Sequence, residues 1–147
     1  MRIFIDIGHP AHVHYFKNFI AAMEKDGHQF RVSARDKEVI HFLLKKYNIA
    51  YFNRGKGANS IVGKFAYLFY ANVKLFINAI GFKPDLFLSF ASPYASHVSW
   101  LLRKPHIVLD DTESAVLNHA LYKPFSDVIL NPIGFKKQLG KKQLFFN

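Results

Sequence analysis

The chain has 147 residues, half of them hydrophobic and 20% charged, which suits one domain with a real core and does not suit a disordered segment. Zero cysteines exclude a disulfide framework, a thiolate zinc site and a cysteine nucleophile, and fit a reducing compartment. Lys and Arg outnumber Asp and Glu by 20 to 10, and a net charge of +10 suits polyanionic partners: nucleic acid, an anionic membrane or phosphorylated small molecules.

Ile3–Ile7 reads as a short apolar strand that carries Asp6 and runs into a His/Pro turn, which is not the pattern of a signal peptide. From about Ala11 to Lys25, Val13, Phe16, Phe19, Ile20 and Met23 recur at helical spacing, and Gly27 stops that helix as a left-handed cap. His28–Ala34 predicts a second strand. Asp36 then predicts an N-cap for a helix whose apolar stripe is Val39, Ile40, Leu43 and Leu44. Ile49–Phe52 is a third strand, followed by the polar loop Arg54–Ser60. A long helix spans Ile61 to Ile80, ended by Gly81 and Pro84. Its apolar sequence is broken by Lys64, Asn72, Lys74 and Asn78, so no uninterrupted membrane-spanning run is present. Asp85–Phe90, His106–Leu109 and Asp127–Leu130 read as strands four to six, separated by helices over Tyr94–Leu102 and Glu113–Tyr122. This alternation predicts an α/β domain: a Rossmann-like, doubly wound parallel sheet of about six strands filling residues 1–147.

In such sheets ligands sit beyond the carboxyl ends of the strands. Three segments fall there, and they hold the unusual residues. Gly8-His9-Pro10-Ala11-His12-Val13-His14 places three imidazoles in a strand-to-helix turn. It lacks the glycines of a dinucleotide fingerprint. Its histidines admit three readings: turn capping, a single neutral base at the helix N-terminus, or a zinc site of His9, His12 and His14 completed by Asp110 or Asp111, as in a metal-dependent hydrolase. Against zinc, two residues make about 200° of helical turn, which separates His12 from His14. Asp110-Asp111-Thr112-Glu113 offers carboxylates that can orient a histidine, hold Mg²⁺ or bind sugar hydroxyls, while Thr112 suits an N-cap with Glu113 in the first turn. Ala91-Ser92-Pro93-Tyr94-Ala95-Ser96 is a small-residue turn entering a helix, suited to close approach by an anionic ligand or to ordinary capping.

The strand, Gly-His-Pro-Ala-His-Val-His turn, helix and following Lys25-Asp26-Gly27-His28-Gln29-Phe30 resemble the N-terminal half of GT-B-fold glycosyltransferases. More narrowly, the chain resembles a family of bacterial and archaeal proteins of unknown function related to these transferases and to UDP-GlcNAc 2-epimerases. The segments Asp110–Ala115 and Phe125–Leu130 share in this likeness. The resemblance places His12 where UDP-sugar transferases carry the His of a Gly-His-x-x-Pro loop, although Ala11 precedes it and Tyr15 replaces the Pro. By that resemblance this is an acceptor-side half, inactive alone. It acts in surface polysaccharide or lipid-linked glycan synthesis and binds no cofactor or metal itself. A UDP-sugar donor enters only with a second domain or partner subunit.

The expected site is His12 as base, Asp110 or Asp111 as its orienter, and Gly8, His9, His14, Ser92 and Glu113 as substrate contacts. A 2-epimerase-like reaction on a UDP-sugar is the nearest alternative. A nucleic-acid-binding module is disfavoured because the cations are spread along the whole chain, with no Arg-rich helix. Around the long helix the apolar residues cover an arc of roughly 220°, wider than the stripe that packing on a sheet requires. Lys64, Phe65, Phe69 and Phe76 are therefore expected to face an anionic membrane surface or a lipid-linked acceptor, with the protein cytoplasmic and peripheral to the inner face of the membrane.

Overall fold

A computed structural model describes all residues, Met1–Asn147. The element order is β1 (Arg2–Ile7), α1 (Pro10–Lys25), β2 (Gln29–Ala34), α2 (Glu38–Lys46), β3 (Tyr51–Asn53), α3 (Ile61–Phe82), β4 (Leu86–Phe90), α4 (Pro93–Leu101), β5 (His106–Leu109), α5 (Val116–Tyr122), β6 (Val128–Pro132) and β7 (Gln143–Phe146). The strands form one sheet in the order β3-β2-β1-β4-β5-β6-β7, and every neighbouring pair is parallel. The chain winds outward from β1 to β3, then returns to lay β4 against the other side of β1. The strand order reverses there, and a crevice opens at the carboxyl ends of β1 and β4.

Alternation along β1 builds both layers. Ile3, Ile5 and Ile7 point to one face, where they meet Val13, Phe16 and Ile20 of α1 and Ile40 and Leu44 of α2. Phe4 points to the other face and packs with Phe87, Leu75 and Ala79 of α3, and Ala95 and Val98 of α4. Asp6 shares that second face, so the strand carries a carboxylate into the protein with no exposure at all. Val108, Tyr122, Ile129, Phe135 and Leu139 continue the second layer towards β7.

Several boundaries differ from the expectations. Position 37, not Asp36, is the N-cap of α2, and Asp36 instead holds His41 at 2.9 Å. Gly81 lies inside α3; the turn out of the helix is made by Lys83 in the left-handed conformation. α5 starts at Val116, so Thr112 is no cap and Glu113 is not helical. A seventh strand joins the sheet through a crossover without a helix. α3 is continuous for 22 residues with mean hydropathy 1.3, so in length and composition it matches a membrane span. Here its Ala71, Leu75 and Ala79 side is seated on the sheet.

His106, at the start of β5, is fully buried between two hydroxyls. Ser126 Oγ gives its proton to Tyr122 O, so it accepts from His106 Nδ1, and Ser89 donates to Nε2. Burial lowers the His106 pKa to about 3, with Asp6 opposing. The unfolded chain binds a proton near pH 6.5 and the folded chain does not, so stability contributed by neutral His106 falls as pH drops from 6.5 towards 3. Between pH 6.5 and 4.5 the loss is about 2 kcal/mol from this residue. Urea unfolding at the two pH values measures it, and His106→Gln is expected to remove most of the difference.

Candidate functional site

At the switch point lies a cleft of about 830 Å³. Gly8 and His9 of the turn after β1, with His12 in the first turn of α1, form its floor. Ser92 at the N-cap of α4 and Tyr94 in its first turn face it, and the loop after β5 supplies Asp111 and Thr112. Two helices stand over it. From α3 come Ile61, Lys64, Phe65 and Leu68, and from α5 Leu117, Asn118 and Leu121. Immediately after β4, Ala91 adopts φ +47, a left-handed conformation that costs energy for a residue with a Cβ and concentrates at functional loops.

Beneath the cleft Asp6 accepts from Ser33 Oγ, Ser92 Oγ and Arg54 Nε, the last at 2.8 Å. Arg54 is 3% exposed. Its Nη1 donates to Tyr67 Oη at 2.6 Å, its guanidinium carbon lies 4.3 Å from the Tyr94 ring centre, and Tyr67 in turn donates to Gly55 O. Burial works against the guanidinium charge, but the Asp6 carboxylate together with Tyr67 and Tyr94 outweighs it and holds the pKa above its ordinary value. Burial raises the pKa of both phenols, against the pull of Arg54, so they remain hydrogen-bond donors at neutral pH. A Cβ on Gly8 would sit 3.4 Å from Arg54 Nη2, so the glycine lets the β1 loop cross the guanidinium at close range. Asp6, Arg54, Tyr67 and Tyr94 were not among the residues expected from the sequence. The available signal was a carboxylate inside the apolar Ile3–Ile7 strand, which a buried strand tolerates only with a partner.

The three histidines of the turn after β1 and the start of α1 separate. His9 caps α1, its Nδ1 accepting from Ala11 N at 3.2 Å, and it lines the cleft mouth. His14 is exposed, sits against Tyr47 and does not line the cleft. No group of three His, Asp or Glu side chains converges anywhere to hold a metal, which removes the expected basis for a zinc hydrolase. His12 alone faces into the cleft, stacked on Phe90 at 4.6 Å. Its Nδ1 accepts the Gly8 N–H at 3.3 Å. Burial lowers its pKa to about 4; Asp6 and Asp111 pull the other way, and His9 and Arg54 reinforce the shift. With Nδ1 taken, the neutral ring carries its proton on Nε2 and presents a donor. With that geometry His12 meets the cleft as a donor, and acting as the expected base would require it to release Gly8.

The two aspartates also part. Asp110 is buried and accepts from Tyr122 Oη and Thr112 N, with His119 Nε2 at 2.9 Å from Oδ2. Burial, then the Asp110 hydrogen bond, keeps the Tyr122 phenol protonated far above its usual range. Asp110 is therefore a structural anchor for the β5 loop and does not orient His12. Asp111 is exposed and lines the cleft, its Oδ1 accepting from Thr112 Oγ1 at 3.0 Å. Glu113 is likewise not a cleft residue, since its carboxylate accepts from Lys136 N. Ser92 lines the cleft but both caps α4 and bonds Asp6, so its hydroxyl is committed to the protein. Phe76 packs into the second core layer, contrary to the expected membrane-facing position, while Lys64, Phe65 and Phe69 are exposed.

The architecture matches known structures. The chain is similar to the UDP-GlcNAc 2-epimerase of Neisseria meningitidis bound to UDP-GlcNAc, with 16% identity, a TM-score of 0.72, and coverage of 90% of this chain and 40% of that one. It is similar to MurG of Acinetobacter baumannii, with 14% identity, a TM-score of 0.75, and coverage of 94% and 43%. It also resembles the glycosyltransferase SsfS6 of Streptomyces sp. SF2575, with 14% identity, a TM-score of 0.67, and coverage of 93% and 52%. These likenesses establish the Rossmann-like fold of a GT-B half. An uncharacterised protein of Methanocaldococcus jannaschii is 29% identical over 135 residues, 90% of this chain and 39% of that protein. The chain thus spans about two fifths of that relative's length. A family profile matches residues 1–142, and the chain belongs to the family described as protein of unknown function, DUF354.

Proposed function

We propose that this chain is the acceptor-binding half of a glycosyltransferase that builds surface polysaccharide or lipid-linked glycan at the cytoplasmic face of a membrane. The observation that supports it most is the cleft itself. One donor, His12 Nε2–H, one open carboxylate, Asp111, and one buried cation, Arg54, meet at the switch point beneath an apolar helix. In the reaction an acceptor hydroxyl oxygen bonds to the anomeric carbon of a UDP-sugar as the bond from that carbon to the phosphate oxygen breaks. UDP leaves with the electron pair, and the hydroxyl proton passes to Asp111. His12 and Arg54 orient the acceptor, and a second domain or subunit holds most of the donor. A 2-epimerase reaction is the second reading, supported by the likeness to UDP-GlcNAc 2-epimerases. Incubating the intact protein with UDP-GlcNAc alone separates the two: the transferase reading expects no acceptor-free change at C2, and formation of the 2-epimer would overturn it.

The membrane side of the proposal rests on α3. Val62 is 80% exposed, Phe69 73%, Phe65 66% and Ile77 63%, whereas the sheet takes only the Ala71, Leu75 and Ala79 side. The first ten residues of the helix contain no buried side chain, and Ile61, Lys64, Phe65, Tyr67 and Leu68 among them line the cleft. An acceptor with a lipid tail would thus pass from the bilayer along Phe65 and Phe69 into the site. Co-sedimentation with liposomes is expected to rise with anionic lipid, weaken in salt, and fall for Phe69→Ser and Lys64→Glu. An intact protein that ignores anionic liposomes at low salt would make α3 a packing surface.

A further inference from the structure

Arg35 lines the cleft yet has no acidic partner within 4.0 Å. Neighbouring Asp36 holds His41, and Asp6 holds Arg54. Arg35 follows β2 directly and its N–H donates to Ile7 O at 2.8 Å, while Arg54 follows β3 and donates its N–H to Ala34 O at 2.8 Å. Two arginines therefore leave neighbouring strand ends on one side of the cleft. Asp6 cancels only one of the two charges.

Both guanidinium groups are seated by the main chain. A Cβ on Gly57 would lie 3.0 Å from Arg35 Cζ and 3.2 Å from Arg35 Nε, so this guanidinium rests against a glycine that itself lines the cleft. Arg54, which is buried, spends Nε on Asp6 and Nη1 on Tyr67, which leaves Nη2 as its open donor. Nη2 lies beside Gly8 in the cleft floor, where a Cβ would sit 3.4 Å from it and 3.9 Å from His12 Cε1. Burial raises the Tyr94 pKa and both Arg54 and Arg35 draw it down, so one cleft phenol lies in the field of both cations. Past Gly57 the wall turns apolar. Ala58 lies against Gly63 in the first turn of α3, and Ile61 and Phe65 line the cleft from the same end of that helix.

We infer that Arg35 and Arg54 Nη2 clamp a phosphoryl group on the acceptor, so that the cleft selects a phosphorylated amphiphile over the matching neutral alcohol. Naming the acceptor rests on the transferase reading; the anion clamp does not. Guanidinium N–H groups match phosphate oxygens in geometry, and a phosphate answers the charge that Asp6 leaves open. The apolar wall beyond Gly57 takes the chain attached to the phosphate. A nucleoside diphosphate offers the same oxygens, so the donor is the rival source.

The test is calorimetric titration of the intact protein with geranyl phosphate, geraniol and UDP. Geranyl phosphate is expected to bind saturably and roughly tenfold or more tighter than geraniol, as a charge-assisted site discriminates. Arg35→Gln is expected to erase most of that difference, with geraniol and UDP binding and the melting temperature unchanged, because Arg35 has no ion pair to lose. Lys56→Gln removes an exposed charge from the same loop outside the cleft and is expected to alter geranyl phosphate binding by less than about twofold. Equal affinity for the phosphate and the alcohol, or an equal loss in Arg35→Gln and Lys56→Gln, would overturn the clamp. A loss of UDP binding in Arg35→Gln as large as that of geranyl phosphate would give the clamp to the donor and overturn its assignment to the acceptor. The two readings fail separately. Arg35-dependent geranyl phosphate binding without any sugar transfer keeps the clamp and removes the transferase, whereas transfer to a phosphorylated acceptor with an unaltered KM in Arg35→Gln does the reverse.

Discussion

Replacing Asp111 by Asn in the intact protein is expected to lower sugar transfer by roughly 10²–10⁴-fold, the range for losing a positioned general base, while leaving the melting temperature nearly unchanged. The carboxylate is exposed at the cleft wall and its protein partner is only Thr112 Oγ1, so the fold does not depend on it. His12 is expected to behave differently. Its Nδ1 holds the Gly8 amide and its Nε2 carries the proton, so a side chain that still offers an N–H can replace it. His12→Gln should therefore retain much more activity than His12→Ala. Because burial holds its pKa at about 4, the ring stays neutral through the physiological range, and no limb near pH 6.5 should appear in the turnover profile from this residue. If glutamine and alanine are equally inactive, His12 takes the proton and the assignment of Asp111 fails. His9→Ala should cost less, since His9 only caps α1 and stands at the cleft mouth. Asp110→Asn, by contrast, should lower stability, because it disturbs a buried anchor of Tyr122 and the β5 loop.

The largest stability effect is expected at Arg54. Arg54→Met would leave the fully buried Asp6 carboxylate without its counter-charge, and breaking such a pair from one side costs about 3–5 kcal/mol. For a domain of this length that is a fall of roughly 6–20 °C in melting temperature. The remaining partners of Asp6, Ser33 and Ser92, are neutral hydroxyls and cannot compensate a full charge. Adding Asp6→Asn to Arg54→Met removes the stranded charge and should recover about half of the loss, which separates unpaired charge from lost packing. Thermal unfolding of the two variants settles this, and a change of less than about 1 kcal/mol in Arg54→Met would show that the pair is not holding the site together.

The layers of the fold could be read from the sequence because each strand is flanked by a helix with its own apolar stripe, a pattern local to about thirty residues. β7 could not. Its four residues are too few for a period-2 signal, and no crossover helix announces it. The cleft was legible in part. The strand ends after β1, β4 and β5 follow from the alternation, and the β1 and β4 loops do meet there. Which of two adjacent aspartates faces the cleft depends on how the β5 loop leaves its strand, and the neighbours of Asp110 that bear on it, His119 and Tyr122, are nine and twelve residues away. The partnership of Asp6 with Arg54 spans 48 positions and exists only because β2 separates β3 from β1 in the sheet. The arc of α3 was countable from the sequence, but the part taken by the sheet was not. Phe76 fell on the packed side and Phe69 on the open one.

The most direct test of the account follows radiolabelled sugar from a UDP-sugar into lipid-extractable material, using the intact protein with isolated membranes as the source of acceptor. The account predicts incorporation that requires the membranes and falls by roughly 10²–10⁴-fold in Asp111→Asn. Label recovered only as the original sugar nucleotide or its 2-epimer, with or without membranes, would contradict it.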